Sequence, residues 1–313
     1  MNNNSKINDF FHAIYRIIFK TAFLLASVCD TAILYYRKAE VYVITKILNK
    51  DDKPAIFTIH KNKMLLSLDD PGISRELMLR RTREPISTKT IKGILKKGDV
   101  VLDIGANIGY YALIEARLVG ESGKVYACEP VPQSFDTLKK NVELNRFNNI
   151  ELFNTAIGDI NGELNMYLSA KSNIASMLEN KSHNTGSIKV RAMTGDDFLK
   201  NKKTPNILRM DVEGYEFQII KGMAQTLKKD TLRDIFIEMH FLILPKEKYA
   251  YILNTLKQNG FKIRSSIMDS DYYSLSDRLW LKRVGQKFAG YTIDDFIKET
   301  RPMNFIVSMF FSR

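Results

Sequence analysis

The stretch Val100-Val101-Leu102-Asp103-Ile104-Gly105-Ala106-Asn107-Ile108-Gly109-Tyr110-Tyr111 constrains this chain most. Its apolar start predicts a buried parallel strand. Asp-x-Gly-x-Asn-x-Gly then demands a sharp turn, because Gly105 and Gly109 can take positive φ and leave room for a ligand. A helical pattern follows from Tyr110 to Ala116, and a helix start offers free N–H groups. The dinucleotide fingerprint G-x-G-x-x-G does not fit, since Asn107 holds the middle position and Asp103 would repel a diphosphate. A carboxylate there suits a ligand with a cationic amino group. S-adenosylmethionine, with its amino-acid end, sulfonium and adenosine, meets that description. A tight turn that binds nothing is the competing reading of this loop taken alone.

The next predicted strand, Lys124 to Cys128, ends in Glu129-Pro130 about 20 residues after the loop. Ribose-binding acids occupy that place in doubly wound folds. Glu129 is therefore expected to accept both ribose hydroxyls. Pro130 and Pro132 open a helix through Phe135, Leu138 and Val142.

With these residues in view, the chain resembles the FkbM family of methyltransferases. The blocks VVLDIGANIGYYALIEA, VYACEPVPQSFDTLKKNVELN, NTAIGD, TGDDFL, ILRMDVEGYEFQIIKGM and IFIEMH carry the likeness, over about residues 55 to 262. The resemblance implies a class I S-adenosylmethionine-dependent enzyme, whose prototype group acts on a hydroxyl oxygen. It implies cofactor contacts from Asp103, Gly105, Asn107, Gly109, Glu129 and Pro130. Backbone contacts at Ala156 to Asp159, flanking the adenine, follow from it too, with Asp159 either accepting from the adenine amino group or capping a turn. Two departures stand out. The chain has Arg209-Met210-Asp211 where the family has Lys-Ile-Asp, and Gly195-Asp196-Asp197-Phe198 where it has Leu-Asp-Asp-Phe.

Methyl transfer from a sulfonium mostly needs positioning, plus a base if the acceptor is a hydroxyl. That base belongs at the carboxyl ends of the strands. Asp211 and Glu213 end the fourth core strand, and Glu238 and His240 end the fifth; these four are the catalytic candidates. Each has a structural alternative: Glu213 as a helix cap, Asp211 as a hydrogen-bonded strand end, His240 as a satisfied core histidine. Asp211 with Glu238 or His240 has the donor types for a divalent cation, but no spacing demands one, and no metal is expected.

The chain has 313 residues, enough for one large domain and an extension, and a formal charge of +12. The excess is spread out, apart from a basic stretch between Arg75 and Lys97. No zinc spacing, no aromatic RNA-binding block and no Asn/Asp-Pro-Pro-Tyr/Phe sequence accompanies it, so a nucleic-acid methyltransferase is a minor alternative. Two cysteines, Cys29 and Cys128, make no secreted disulfide framework, and a reducing cytoplasm fits.

Three regions are expected: 1–48, an amphipathic helical segment; 49–98, a β-hairpin and a helix leading into the core; 99–313, the methyltransferase domain. Met1 to Asp9 is Asn-rich and expected to be unstructured. Phe10 to Leu48 has a wide apolar face and a narrow polar side with Asp9, Arg16, Lys20, Ser27 and Asp30. It is open to packing, to homodimerisation or to contact with a membrane surface, and its longest uncharged run is too short for a span. The fold class is α/β: a Rossmann-like, mostly parallel seven-stranded sheet with helices on both faces and an antiparallel last strand. Strands are expected at 99–104, 124–129, 149–154, 205–211, 233–239, 260–267 and 304–311, and helices at 108–119, 132–146, 214–229 and 246–259. Gly162 to Ala170 and Ser187 to Met193 read as an inserted hairpin pair. The function expected is O-methylation of a hydroxyl on a sugar, glycan or related metabolite. A non-catalytic, membrane-associated binding module on the same fold is the rival from another class.

Overall fold

The structure, a computed structural model, describes residues 3–43, 54–70, 72–169, 184–267, 288, 290–299 and 306–313. The loop expected at 171–186 and the excursion through Trp280 lie largely outside these residues.

Seven strands form the central sheet: β3 (Val100–Ile104), β4 (Lys124–Cys128), β5 (Ile150–Phe153), β9 (Ile207–Met210), β10 (Asp234–His240), β11 (Lys262–Ile267) and β12 (Ile306–Ser312). Their order is β11-β12-β10-β9-β3-β4-β5. The β9, β3, β4 and β5 pairings are parallel, as is β10 with β9, while β12 runs antiparallel between β10 and β11. All seven sit close to their expected places, because strands buried on both faces are near-continuous apolar runs.

Alternation along these strands builds two cores, one per face. Leu102, Ile104, Tyr126, Leu208, Met210 and Ile237 pack towards α7 (Glu216–Gly222) and α8 (Lys246–Gln258). Val101, Val125, Ala127, Ile207 and Phe236 pack towards α4 (Tyr110–Val119) and α5 (Pro132–Asn145). The helix expected over 214–229 is shorter. It ends at Gly222, where a Cβ would lie 1.7 Å from the Gly158 carbonyl oxygen.

The expected hairpin is β1 (Ala55–Ile59) and β2 (Asn62–Leu66), tied to α5 where Asn141 and Asn145 accept from Leu65 N–H at 2.6 Å and Lys63 N–H at 2.9 Å. Helices α2 (Ile73–Arg80) and α3 (Pro85–Ile94) lead into the sheet. A second sheet joins β6 (Ala156–Gly158), β7 (Gly162–Ser169) and β8 (Asn184–Thr194), the inserted pair, and α6 (Gly195–Phe198) follows it. Near the last strand, α9 (Ile293–Lys298) opens on a capping box between Thr292 and Asp295.

One helix, α1 (Asn3–Tyr42), takes up the amino-terminal region. The Asn-rich start expected to be unstructured is helical from Asn3 onwards. Among the described residues no helix is long and apolar enough to cross a membrane.

Candidate active site

A cleft opens over the carboxyl ends of β3, β4 and β9, where open α/β sheets bind ligands. Gly105, Ala106 and Asn107 line it after β3, and Glu129, Pro130 and Val131 after β4. Thr155, Ala156 and Ile157 form one wall, Asp211, Val212 and Glu213 the floor after β9, and Ile73, Arg83 and Tyr110 the side nearest the hairpin.

Glu129 is almost fully buried, and its two oxygens accept the N–H groups of Asn107 at 2.8 Å and Val131 at 2.9 Å. Burial pushes its carboxyl up to about 7, against the pull of those two bonds. An ionised carboxylate has about four acceptor positions, so each oxygen keeps one for a vicinal diol. Asn107 is left-handed at φ 50°, and its own Oδ1 accepts the Ile108 N–H at 2.8 Å, which holds the loop in shape.

The loop glycines take the positive φ expected of them, and each also makes room for a protein neighbour. Gly105 has φ 81°, and a Cβ there would lie 2.0 Å from the Asp211 carbonyl oxygen. At Gly109, φ 95°, a Cβ would lie 2.7 Å from Leu138 Cδ1. Both admit a neighbouring protein element, the end of β9 and helix α5, and Gly109 is not part of the cleft lining.

Asp103 also departs from its expected role. In the register of β3 with β9 it lies directly opposite Arg209, on the α4 face of the sheet. Its Oδ1 accepts from Arg209 Nη1 at 2.7 Å, and both side chains are buried. It therefore braces the loop from beneath and does not line the cleft. Arg209 lies 4.0 Å from the Tyr111 ring centre, and its Nη2 reaches Asp211 Oδ2 at 3.3 Å. Burial opposes its charge, but Asp103 and Asp211 outweigh burial and keep the guanidinium protonated.

The four acid–base candidates do come together. Burial alone would raise Asp211, but Arg209, Arg83, a hydrogen bond from Glu238 and His240 hold it below the usual carboxylate range. Burial, and then Asp211, push Glu238 well above that range, so Glu238 carries the proton it donates to Asp211. His240 is buried between two acids. Its Nδ1 lies 2.6 Å from Glu216 Oε1 and its Nε2 3.3 Å from Glu213 Oε2. Burial would lower its pKa, but Glu216 and Glu213 raise it well above the ordinary histidine value. Of the two roles open to it, base or satisfied core histidine, this geometry matches the second: a clamp held by acids on both ring nitrogens. Asp211 and Glu213 line the cleft; Glu238 and His240 stand behind them. Glu213 reaches His240 from a left-handed backbone, φ 49°, followed by Gly214 at φ 98°.

Among the described residues two sets of side chains bring ligand atoms within 4.8 Å of one another: Asp211, Glu213 and His240, and Glu84, Asp211 and Glu238. Ala156 and Pro130 line the cleft as expected. Asp159 does not; Lys221 Nζ holds it at 2.8 Å. The sequence reading missed Arg83, Arg209, Tyr110 and Thr155. Arg83 lies in the basic stretch already noted, but only the fold singles it out: its Nε bonds Glu84 at 2.5 Å while it faces the cleft.

The strand order and the cleft define a class I S-adenosylmethionine-dependent methyltransferase, and the acceptor positions of Glu129 fit the ribose of that cofactor. The chain belongs to the FkbM methyltransferase family, whose domain model matches residues 103–263. Over 157 residues it is 30% identical to the hexuronic acid methyltransferase AglP of Haloferax volcanii, covering 49% of this chain and 60% of AglP. Over 167 residues it is 28% identical to a probable cobalt-precorrin-6B C(15)-methyltransferase of Sulfolobus acidocaldarius, covering 49% of this chain and 87% of that protein. Among solved structures, an FkbM methyltransferase from Methylobacillus flagellatus KT aligns with TM-score 0.34 and 17% identity, over 47% of this chain and 34% of that one. The M. jannaschii TYW2 complex with AdoMet aligns with TM-score 0.42 and 16% identity, over 84% and 88%.

Proposed function

We propose that this methyltransferase methylates a hydroxyl oxygen of a sugar, glycan or related metabolite. The observation that carries the reading is the place of Asp211 on the floor of the cofactor cleft, where Arg209 and Arg83 favour its ionised form. Methyl transfer to a hydroxyl needs a proton acceptor as the bond forms. Bound cofactor supplies the activated methyl group; the protein supplies placement and a sink for the proton. Asp211 is the base in this reading. Glu238, already protonated, donates to Asp211 and holds its carboxylate in place, while the His240 clamp aligns Glu213 beside it. Arg83, on the cleft wall, is the group that meets an anionic part of the acceptor. AglP, a hexuronic acid methyltransferase, supports a sugar acid as the first acceptor class to test.

In the same reading the enzyme works in the cytoplasm, and its acceptor is a small molecule or glycan, not nucleic acid. A screen with cofactor labelled in the methyl group tests it, run across neutral sugars, sugar acids and their glycosides. Transfer to a sugar hydroxyl that Asp211→Asn abolishes, while cofactor still binds, supports the reading. Transfer only to nitrogen or carbon acceptors overturns it.

A further inference from the structure

Helix α1 leaves most of its large apolar side chains facing away from the domain. A helix on a soluble surface turns its apolar stripe to the core and its polar side to water. Here the inner side is mixed: Ala26 is buried and Phe23, Leu34 and Val41 are half-buried, and Ser27, Asp30, Arg37 and Glu40 lie half-buried among them. Glu40 is bonded there by Arg37 at 2.9 Å and by Arg81 of the α2 end at 2.8 Å. The opposite side carries Ile17, Ile18, Leu24, Leu25, Val28 and Tyr35, each at least 60% exposed. Soluble monomers rarely leave a contiguous apolar strip of that length open to water.

Charge decides what covers it. Between residues 17 and 43 the exposed charged side chains are Lys20 and Lys38, one towards each end of the apolar strip. Both acids of this stretch, Asp30 and Glu40, are on the half-buried side. A second copy laid on this face, parallel or antiparallel, brings lysine towards lysine with no exposed acid to answer them. An anionic lipid surface answers both features, accepting the apolar side chains between its headgroups and the lysines at its phosphates. Tyr35 and Tyr36 strengthen the match, since tyrosine favours the headgroup level. Lys38 lies 5.5 Å from the Tyr35 ring centre and Arg37 5.7 Å from that of Tyr36.

We infer that α1 is an interfacial anchor which lies flat on an anionic membrane surface. The anchor does not depend on the identity of the acceptor. It is joined closely to the cleft: Arg81 grips α1 through Glu40, and Arg83, two residues on, lines the cleft. A bound lipid surface therefore lies across α1 from Arg81.

Co-sedimentation of the full chain with vesicles tests this. Vesicles containing phosphatidylglycerol should pellet the protein about 30-fold more tightly than phosphatidylcholine alone, the effect of two lysines near an anionic leaflet. Alkaline carbonate should release it. Leu25→Glu with Val28→Glu should abolish pelleting while cofactor binding, measured by calorimetry, stays unchanged. No pelleting with either vesicle, or equal pelleting with both, overturns the proposal. Retention after carbonate overturns it in favour of insertion. A dimer in sedimentation velocity that Leu25→Glu dissociates, without vesicle binding, overturns it in favour of a second copy. Cofactor binding and transfer are read separately, so a failed acceptor screen leaves this outcome unaffected.

Discussion

Asp103 and Arg209 stand opposite each other in adjacent parallel strands and form a buried ion pair at 2.7 Å. Breaking such a pair strands a buried charge, which costs about 3–5 kcal/mol. Arg209→Met should lower unfolding free energy by that amount in urea titrations. Asp103→Leu combined with Arg209→Met should recover part of it, because Asp103 is then not left alone, while Asp211 still lacks its Arg209 contact. Additive losses in the double variant would show that the two residues act separately.

Cofactor affinity should depend on pH through Glu129. Accepting two ribose hydroxyls requires the ionised form, and the free carboxyl lies at about 7. Affinity should therefore rise with pH through that value and level off above it. Glu129→Gln should flatten the profile and weaken binding by about 1.5–3 kcal/mol, the scale of hydrogen bonds to a charged group. Calorimetry at several pH values checks both; an unchanged profile in Glu129→Gln removes the residue from the site. Stability runs in the opposite sense. With its folded pKa raised above the unfolded value, Glu129 favours the cofactor-free fold most below about 4.5 and loses that contribution as pH rises through about 7.

Asp211→Asn keeps shape and loses charge. Turnover should fall about 10²–10⁴-fold, the usual worth of general base catalysis, while cofactor affinity changes little. Single-turnover kinetics with an identified acceptor measure this. Full activity in the variant would pass the role of base to Glu213.

His240 should stay doubly protonated through neutral pH, because Glu216 and Glu213 raise its pKa well above 6.5. Its ring nitrogen shifts in NMR read this directly. The linked stability is fully present below 6.5 and disappears as pH rises through the raised folded value. In that state His240 donates from Nε2 to Glu213, and turnover is expected to need no metal ion. Chelator treatment should leave turnover unchanged; activity lost to chelation and restored by Mg²⁺ or Mn²⁺ would assign Asp211, Glu213 and His240 to a cation.

Local pattern made the scaffold legible and pairing kept the rest hidden. Val100 to Ile104 and Ile207 to Met210 announce themselves as buried strands because each is almost wholly apolar. The face taken by Asp103 follows from alternation with Val101, yet its partner does not. Parallel register comes from a distant crossover, and only that register puts Arg209 opposite. The substitution of Arg for the family's Lys was visible, but its role was not. His240 was legible as a strand-end residue; the clamp needed Glu216, one helix start away in space and 24 residues away in sequence. In α1 the projection revealed a narrow polar side, but not that this side meets Arg81 while the apolar side is left outward.

The position of β12 bears on how the molecule is made. Strand β10, which carries Glu238 and His240, finds its antiparallel neighbour only when residues 306–312 arrive, and β11 is paired to β12 alone within the sheet. Chains emerge from the ribosome in amino-to-carboxyl order, and long-range strand pairing is slow. Until then the Phe236 side of β10 lacks Phe310, whose ring centre lies 4.5 Å away in the finished fold. A nascent chain thus holds the strand of Glu238 and His240 as an open edge, exposed to wrong partners, until residues 306–312 close it.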